Sequence, residues 1–353
     1  MLGKPLYRAA KKTMRRMFWS NGKRKLMTMS VAAAALLSAD NYYGSRLLEK
    51  HGLVREDLSD YEKEEPCVTA DCKTAEKDIA EGVDIWRGLR VDRKHVARFW
   101  GIPSYLNTRY ALRAAGTESD LGRLSRKKSQ FDGTYQFSCV NEDLLLFHRR
   151  DVVEPMLNAA RDSDKVPALR NLPSGPITLE KLCDRKNRAV FRDTKVQALI
   201  KMETALAAAM EIEKKYGRLF TALNEREKHS VLYLSHNLPV MVSVVMKYGA
   251  CDKPVVNIIP SQRSNFIANK GVYASGQATP ADLLARLANY TEPYTVNYQS
   301  IWPWERGQTS VSHWGKYGAA HRAVGVLSDV ATCPWHWIKA FKLSAKNAGA
   351  NLG

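Results

Sequence analysis

The stretch that most constrains the fold is TKVQALIKMETALAAAMEIEKKYG, residues 194–217. Thr194 opens a T-x-x-Q capping box, and Val196, Leu199, Ile200, Leu206 and Met210 recur at helical spacing before Lys214, Lys215 and Gly217 supply a stop. A helix of this length with this much apolar side chain has to be packed on other elements. Glu203 interrupts the stripe, which argues against a sustained coiled coil.

Other stretches supply the partners. VLYLSHNLPVMVSVVMKYG (Val231–Gly249) is the most apolar run and reads as a buried core helix. TPAD at Thr279–Asp282 is a helix start with Thr as cap and Pro in the first turn, and Leu283, Leu284 and Leu287 are its buried face. Helical patterns also run from Lys94 to Trp100 and from Tyr105 to Ala115, the second expected to stop at Gly116. GTYQFSCV (Gly133–Val140) and YTVNYQSIW (Tyr294–Trp302) alternate as strands do, and VVNIIPS (Val255–Ser261) reads as a short buried strand. The C-terminal PWHWIKAFKLSAKN is amphipathic, with Trp337, Ile338 and Phe341 on one side. The expected fold class is α+β, predominantly helical with a few short strands and no common superfold.

Charge divides the chain more sharply than hydropathy does. Residues 1–50 hold 11 Lys and Arg against 2 Asp and Glu, half of the net charge of +18, whereas residues 51–150 hold 17 of each sign. The segment KPLYRAAKKTMRRMFW (Lys4–Trp19) has no acid. On a helix, Leu6, Tyr7, Ala10, Met14, Met17 and Phe18 fall on one side and Arg8, Lys11, Lys12, Arg15 and Arg16 on the other. Such a helix suits an anionic lipid surface, and it also has the composition of a mitochondrial presequence. Lys23, Arg24 and Lys25 extend the basic arm, and the following Ala-rich run is too short to cross a bilayer. Residues 53–82 are the acidic counterweight and read as a surface connection or partner-facing segment; RLSRKK (Arg123–Lys128) is the densest basic run of the body. The three prolines and one glycine of VPALRNLPSGP (Val166–Pro176) mark the best internal boundary. The expected organisation is a basic arm over 1–39, an N-terminal part over 40–170 and a helix-rich C-terminal part over 171–353.

No phosphate loop, dinucleotide fingerprint, nucleophile elbow or HExxH motif is present. His313, His321, Cys333 and His336 lack the paired spacing of zinc ligands. His229 and His236, seven apart, have no carboxylate ladder in sequence, and Asp84, Asp92, Glu142 and Asp143 cannot be brought together by spacing alone. No catalytic, metal or cofactor-binding residue is assigned, and no small-molecule substrate is expected. The six cysteines are scattered, which favours reduced, mostly buried thiols; Cys67 and Cys72 are close enough to bridge in an oxidising compartment. Five of the eight tryptophans lie in the last 52 residues, and Trp302, Trp304, Trp335 and Trp337 are expected at a partner interface.

These features together lead to the expectation of a non-catalytic structural or accessory subunit of a large mitochondrial assembly. An inner-membrane energy-converting complex, a respiratory complex or ATP synthase, is preferred, placed in the matrix or on the matrix side of the membrane. The arm would meet anionic, cardiolipin-like lipid, and other subunits would be its protein partners. The alternative is a mitochondrial ribosomal or other RNA-binding structural protein whose arm enters rRNA, and an enzyme of another family stands third.

Overall fold

A computed structural model describes residues 43–53, 69–92, 102–103, 105–122, 131–139 and 145–296. The chain divides into two compact units, one of residues 51–300 and one of residues 1–50 with 301–353. In the latter, residues 43–50 are described; they are helical, with Arg46 paired to Glu49 at 3.0 Å. The Val166–Pro176 stretch runs inside the unit of residues 51–300. The arm, the Arg123–Lys128 run and the Trp-rich C-terminal segment lie outside the described residues.

The unit is predominantly α-helical, and the β structure among the described residues is a single two-stranded hairpin. The principal helices are α1 (Ala70–Asp92), α2 (Thr108–Ser119), α3 (Arg150–Asp162), α4 (Thr194–Tyr216), α5 (Glu225–Asn237), α6 (Val240–Tyr248) and α7 (Pro280–Tyr290). Helix α4 is central and packs against α1, α2, α3 and α5. From Val196 to Leu206 its side chains are buried on every side. This is what apolar residues all round a helix demand, rather than one stripe. Only the last turns emerge, and Met210, expected in the stripe, is 63% exposed. The cap is Asp193, one residue earlier than the T-x-x-Q box implies, and its carboxylate accepts from the Lys195 and Val196 amides, both at 3.0 Å.

Helix α1 lies along α4 because Gly82 lets the backbones approach: a Cβ there would stand 2.7 Å from that of Ala198. Ile79, Val83 and Trp86 bury completely along the same contact. The second half of the acidic 53–82 segment is therefore core helix, not surface connection; residues 54–68 lie outside the described ones. Glu203, which breaks the apolar stripe, accepts from Trp86 Nε1 at 2.9 Å and from Arg90 Nε at 3.1 Å, tying α4 to α1.

Several local expectations are corrected. Helix α2 runs through Gly116 because the Tyr294 ring lies where a Cβ would be, within 2.5 Å, and ends instead where Asp120 and Leu121 take positive φ. The 231–249 run is two helices, α5 and α6, parted at Pro239, which has no amide proton to continue the ladder. Val255–Ile258 is a helical turn, and Tyr294–Val296 belongs to the turn Pro293–Val296. The Gly133–Val140 alternation contributes only strand β2 (Phe137–Ser138), antiparallel to β1 (Phe131–Asp132), because Gly133 and Gln136 take positive φ and make the intervening turn. Thr279 caps α7 as expected, accepting from the Asp282 amide, with Leu283, Leu284 and Leu287 buried.

The cysteines also depart from the reduced reading. Cys139, directly after β2, is disulfide-bonded to Cys183 across 44 positions, with Cα atoms 5.3 Å apart; Cys72 is disulfide-bonded too, and Cys251 is free. Scattered spacing hid this pair, since contact across 44 residues is set by tertiary packing. Closing a loop of that length contributes up to roughly 4 kcal/mol by chain entropy.

The Gly82 contact yields a direct test. Gly82→Val should lower stability by about 1–3 kcal/mol, because the added carbons push α1 off α4. A denaturant midpoint equal to that of the parent chain would show that the two helices are not in backbone-close contact.

Candidate functional site

The residues expected to act as contacts fall outside the described structure: Arg8, Lys11, Lys12, Arg15, Arg16, Lys23, Arg24 and Lys25 on the arm, Leu6, Met14, Met17 and Phe18 on its apolar side, and Trp302, Trp304, Trp335 and Trp337. So do Glu142 and Asp143 and the C-terminal histidines with Cys333. Among the described residues, no group of three or more His, Cys, Asp or Glu is placed to hold a metal ion, and no helix is long and apolar enough to cross a membrane.

What the structure does assemble is a polar centre inside the helical pack. Lys201 is 1% exposed and projects from the middle of α4. The Tyr110 ring of α2 and the Tyr135 ring of the hairpin turn stand 5.9 and 5.8 Å from its Nζ, at cation–π range. Its charge partner is Glu118, near the end of α2. His236 Nε2 of α5 lies 3.7 Å from a Glu118 oxygen, and the Asn237 amide and Tyr233 hydroxyl face the same carboxylate as donors. Tyr273 then donates to Asn237 Oδ1 at 2.5 Å.

Local structure explains why these groups meet. Asn107 caps α2 by accepting from the Tyr110 amide at 3.1 Å, which sets the rotation of the helix. Tyr110 and Glu118, eight residues apart, then share a face. The capping box of Asn224 and Glu227 fixes the start of α5, and Pro239 stops it just beyond Asn237. On α4 the apolar residues occupy every direction, so Lys201 has no solvent face to reach.

Burial dominates the electrostatics. It raises the Glu118 carboxyl to about 7, opposed by the Lys201 charge and by the Asn237 and Tyr233 donors, and it lowers the Lys201 amine to about 8, opposed by Glu118. Burial, with the Lys201 charge adding, holds His236 well below its ordinary value, so the imidazole is neutral. Tyr110, Tyr135, Tyr233 and Tyr273 are all pushed up by burial and stay protonated. Lys201 Nζ, the Tyr135 hydroxyl and Glu118 Oε1 have no hydrogen-bond partner. With His236 Nδ1 they make four buried polar atoms without a partner in one cluster.

A second ionic cluster is tied together within the chain, although Arg113 Nε, Arg113 Nη1 and His229 Nδ1 have no hydrogen-bond partner. Glu292 pairs with Arg113 and, at 3.1 Å, with Arg226, whose Nη2 donates to the Ala288 carbonyl at 2.8 Å. Asn107 donates to Glu225 at 3.1 Å, and His229 Nε2 meets the Tyr105 carbonyl at 2.7 Å. Both histidines of α5 thus have a carboxylate near them, Glu225 for His229 at 3.9 Å and Glu118 for His236, supplied by neighbouring turns and helices rather than by a ladder in sequence. Asp84 sits on α1, and Asp92 ends the same helix. Of the centre, only His236 was singled out from sequence. Lys201 had a legible signal, a lysine in a helix with apolar residues on all sides, whereas Glu118, Tyr135 and Tyr233 had none.

Comparison of the chain with protein-family models, curated proteins and solved structures gives no match.

The centre predicts a stability profile with a trough near neutrality. Glu118 holds its proton more tightly when folded, so its contribution is full below about 4.5 and is lost as pH rises through about 7. Lys201 is lowered, so its contribution is present above about 10.5 and is lost as pH falls through about 8. Denaturant titrations across pH should show both limbs, and Glu118→Gln should flatten the acid limb and move the alkaline limb to lower pH, because it removes the charge that holds the Lys201 pKa up; an unchanged acid limb would remove Glu118 from the buried centre. At pH 7.5 Lys201→Met should destabilise, while the double variant Glu118→Gln/Lys201→Met should be neutral or more stable by about 1–4 kcal/mol, because it removes two desolvated charges together. Equal losses in the single and double variants would contradict a coupled buried pair.

Proposed function

We propose that the chain is a non-catalytic structural subunit of a large mitochondrial assembly at the inner membrane, with its basic arm on anionic lipid and its body against other subunits. The observation that carries this reading is the separation of apolar from basic side chains over Leu6–Phe18, in a stretch without one acid, ahead of a body that is only mildly basic. The interior of the body supports it. The buried Glu203 and Arg226 and the part-buried Glu292 are spent on partners within the chain and lock helices together rather than facing a substrate. A matrix-side placement follows from the presequence-like arm, and there the Cys139–Cys183 bond would be open to reduction by cellular thiols.

An RNA-binding structural protein is the second reading, favoured by six Lys and Arg between Lys181 and Lys195. The structure commits several of these internally. Lys195 pairs with Glu81 at 2.5 Å and Asp78 at 3.5 Å, Lys186 with Asp184 at 3.4 Å, and Lys181 donates to the Ser174 and Pro176 carbonyls. Phosphates would have to compete with those partners, which leaves the arm as the stronger anionic contact.

Sedimentation of a gentle detergent extract, with and without ribonuclease, separates the readings. A large particle that survives ribonuclease is expected, and replacing Arg8, Lys11, Lys12, Arg15 and Arg16 by Gln should release the chain from it. Collapse under ribonuclease would replace the lipid reading by the RNA one, and a small, free protein would overturn both.

A further inference from the structure

The hairpin of residues 131–138 closes one side of the Lys201 centre. Tyr135 lies against the Lys201 amine, and the Phe137 ring meets His236 edge-on at 5.3 Å. Its own ladder pairs only two residues per strand, too little to hold a hairpin in place unaided. Burial of the Tyr135 and Phe137 side chains, a set of polar contacts and one covalent bond seat it. The Tyr135 amide donates to Gln197 Oε1 at 2.9 Å, Ser119 Oγ donates to the Thr134 carbonyl at 2.7 Å, and Gly133 packs flat on the Gln197 amide. The covalent bond is Cys139–Cys183, placed at the residue after β2. Cys183 ends the short helix Leu179–Cys183, which is itself fastened to α3 by the Leu179 amide donating to Glu154 at 2.8 Å. The disulfide therefore ties the hairpin to a part of the body that does not line the centre.

At the hairpin, the Tyr135 hydroxyl faces a centre in which Lys201 Nζ, Glu118 Oε1 and His236 Nδ1 are likewise buried without a hydrogen-bond partner. A sealed core gains nothing from leaving an amine, a phenol and a carboxyl oxygen unpartnered together, whereas a site that receives a small polar ligand needs such groups. We infer that the hairpin is a lid clamped by the Cys139–Cys183 disulfide, and that reduction of this bond by a thiol gives small polar ligands access to the Lys201 amine. The exchange is balanced by a dithiol, which gives up two electrons and two protons to form its own disulfide while Cys139 and Cys183 become thiols. The lowered Lys201 pKa supports the second half, since at neutral pH part of the amine is unprotonated and carries a lone pair.

The test uses the full chain with glyoxylate and cyanoborohydride. The amine attacks the aldehyde carbon, water leaves to give an imine, and hydride transfer from cyanoborohydride fixes it as a carboxymethyl-lysine read by peptide mass spectrometry. Three samples are compared: oxidised protein, protein reduced with dithiothreitol, and the Cys139→Ser/Cys183→Ser variant. The variant isolates this bond, because Cys72 is disulfide-bonded as well. Lys195, on the surface side of the same helix, is the internal reference. Modification of Lys201 relative to Lys195 should rise about tenfold or more in the reduced protein and the variant, as local opening of a lid requires, with helical circular dichroism unchanged. Lys201 still protected while iodoacetamide labels both Cys139 and Cys183 would overturn the lid. A rise accompanied by loss of helical signal would overturn it too, since access would then come from unfolding of the whole body.

Discussion

The structure depends on one helix with no solvent face along about half of its length. From Val196 to Leu206, α4 is enclosed by its neighbours, so every polar group it carries has to find its partner inside protein. Gln197 receives the hairpin amide, Glu203 receives Trp86 and Arg90, and Lys201 faces Glu118 between two tyrosine rings. Each of these groups fixes a different neighbour: Gln197 the hairpin, Glu203 helix α1, Lys201 helix α2. Apolar packing supplies the bulk of the favourable free energy, and the buried polar side chains choose the rotation and register at which that packing occurs.

The three differ in how well they are closed. Glu203 accepts several charge-assisted or indole hydrogen bonds and behaves as a joint. Gln197 is used on its carbonyl and packs flat beneath Gly133, where any side chain would collide. Lys201 alone keeps a charge-bearing atom without a hydrogen bond, and it lies behind the smallest element of the fold. The same burial that ties α1 and α2 to α4 therefore leaves one α4 side chain without a hydrogen bond, and it lies against the element held by a disulfide. The arm differs from this interior in composition, since Lys4–Trp19 carries basic residues and no acid.

How far the fold could be read from the sequence depended on whether the signal was local. The α7 start at Thr279–Pro280 and the helical character of residues 194–216 follow from caps and spacing, which act within a turn. Gly116 misled because its usual role as a stop was overridden by Tyr294, some 180 positions away, which needs the missing Cβ as room for its ring. The apolar Val231–Gly249 run gave burial correctly but hid the break that Pro239 imposes, and Val255–Ile258 has too few residues for periodicity to separate a strand from a turn of helix. The Cys139–Cys183 bond and the convergence of Glu118, Tyr135, Lys201 and Tyr233 are purely tertiary. Lys201 was the exception, since a lysine within a helix apolar all round has to be buried.

The enclosure of α4 is tested most directly by native-state hydrogen exchange across a denaturant series. If the helix is enclosed as described, the amides from Val196 to Leu206 exchange only through global unfolding, with the slowest rates in the chain and a full denaturant dependence. Exchange of those amides by local opening, at the rates and shallow denaturant dependence of a surface helix, would mean that α4 has a solvent face and that the polar centre built on it does not exist.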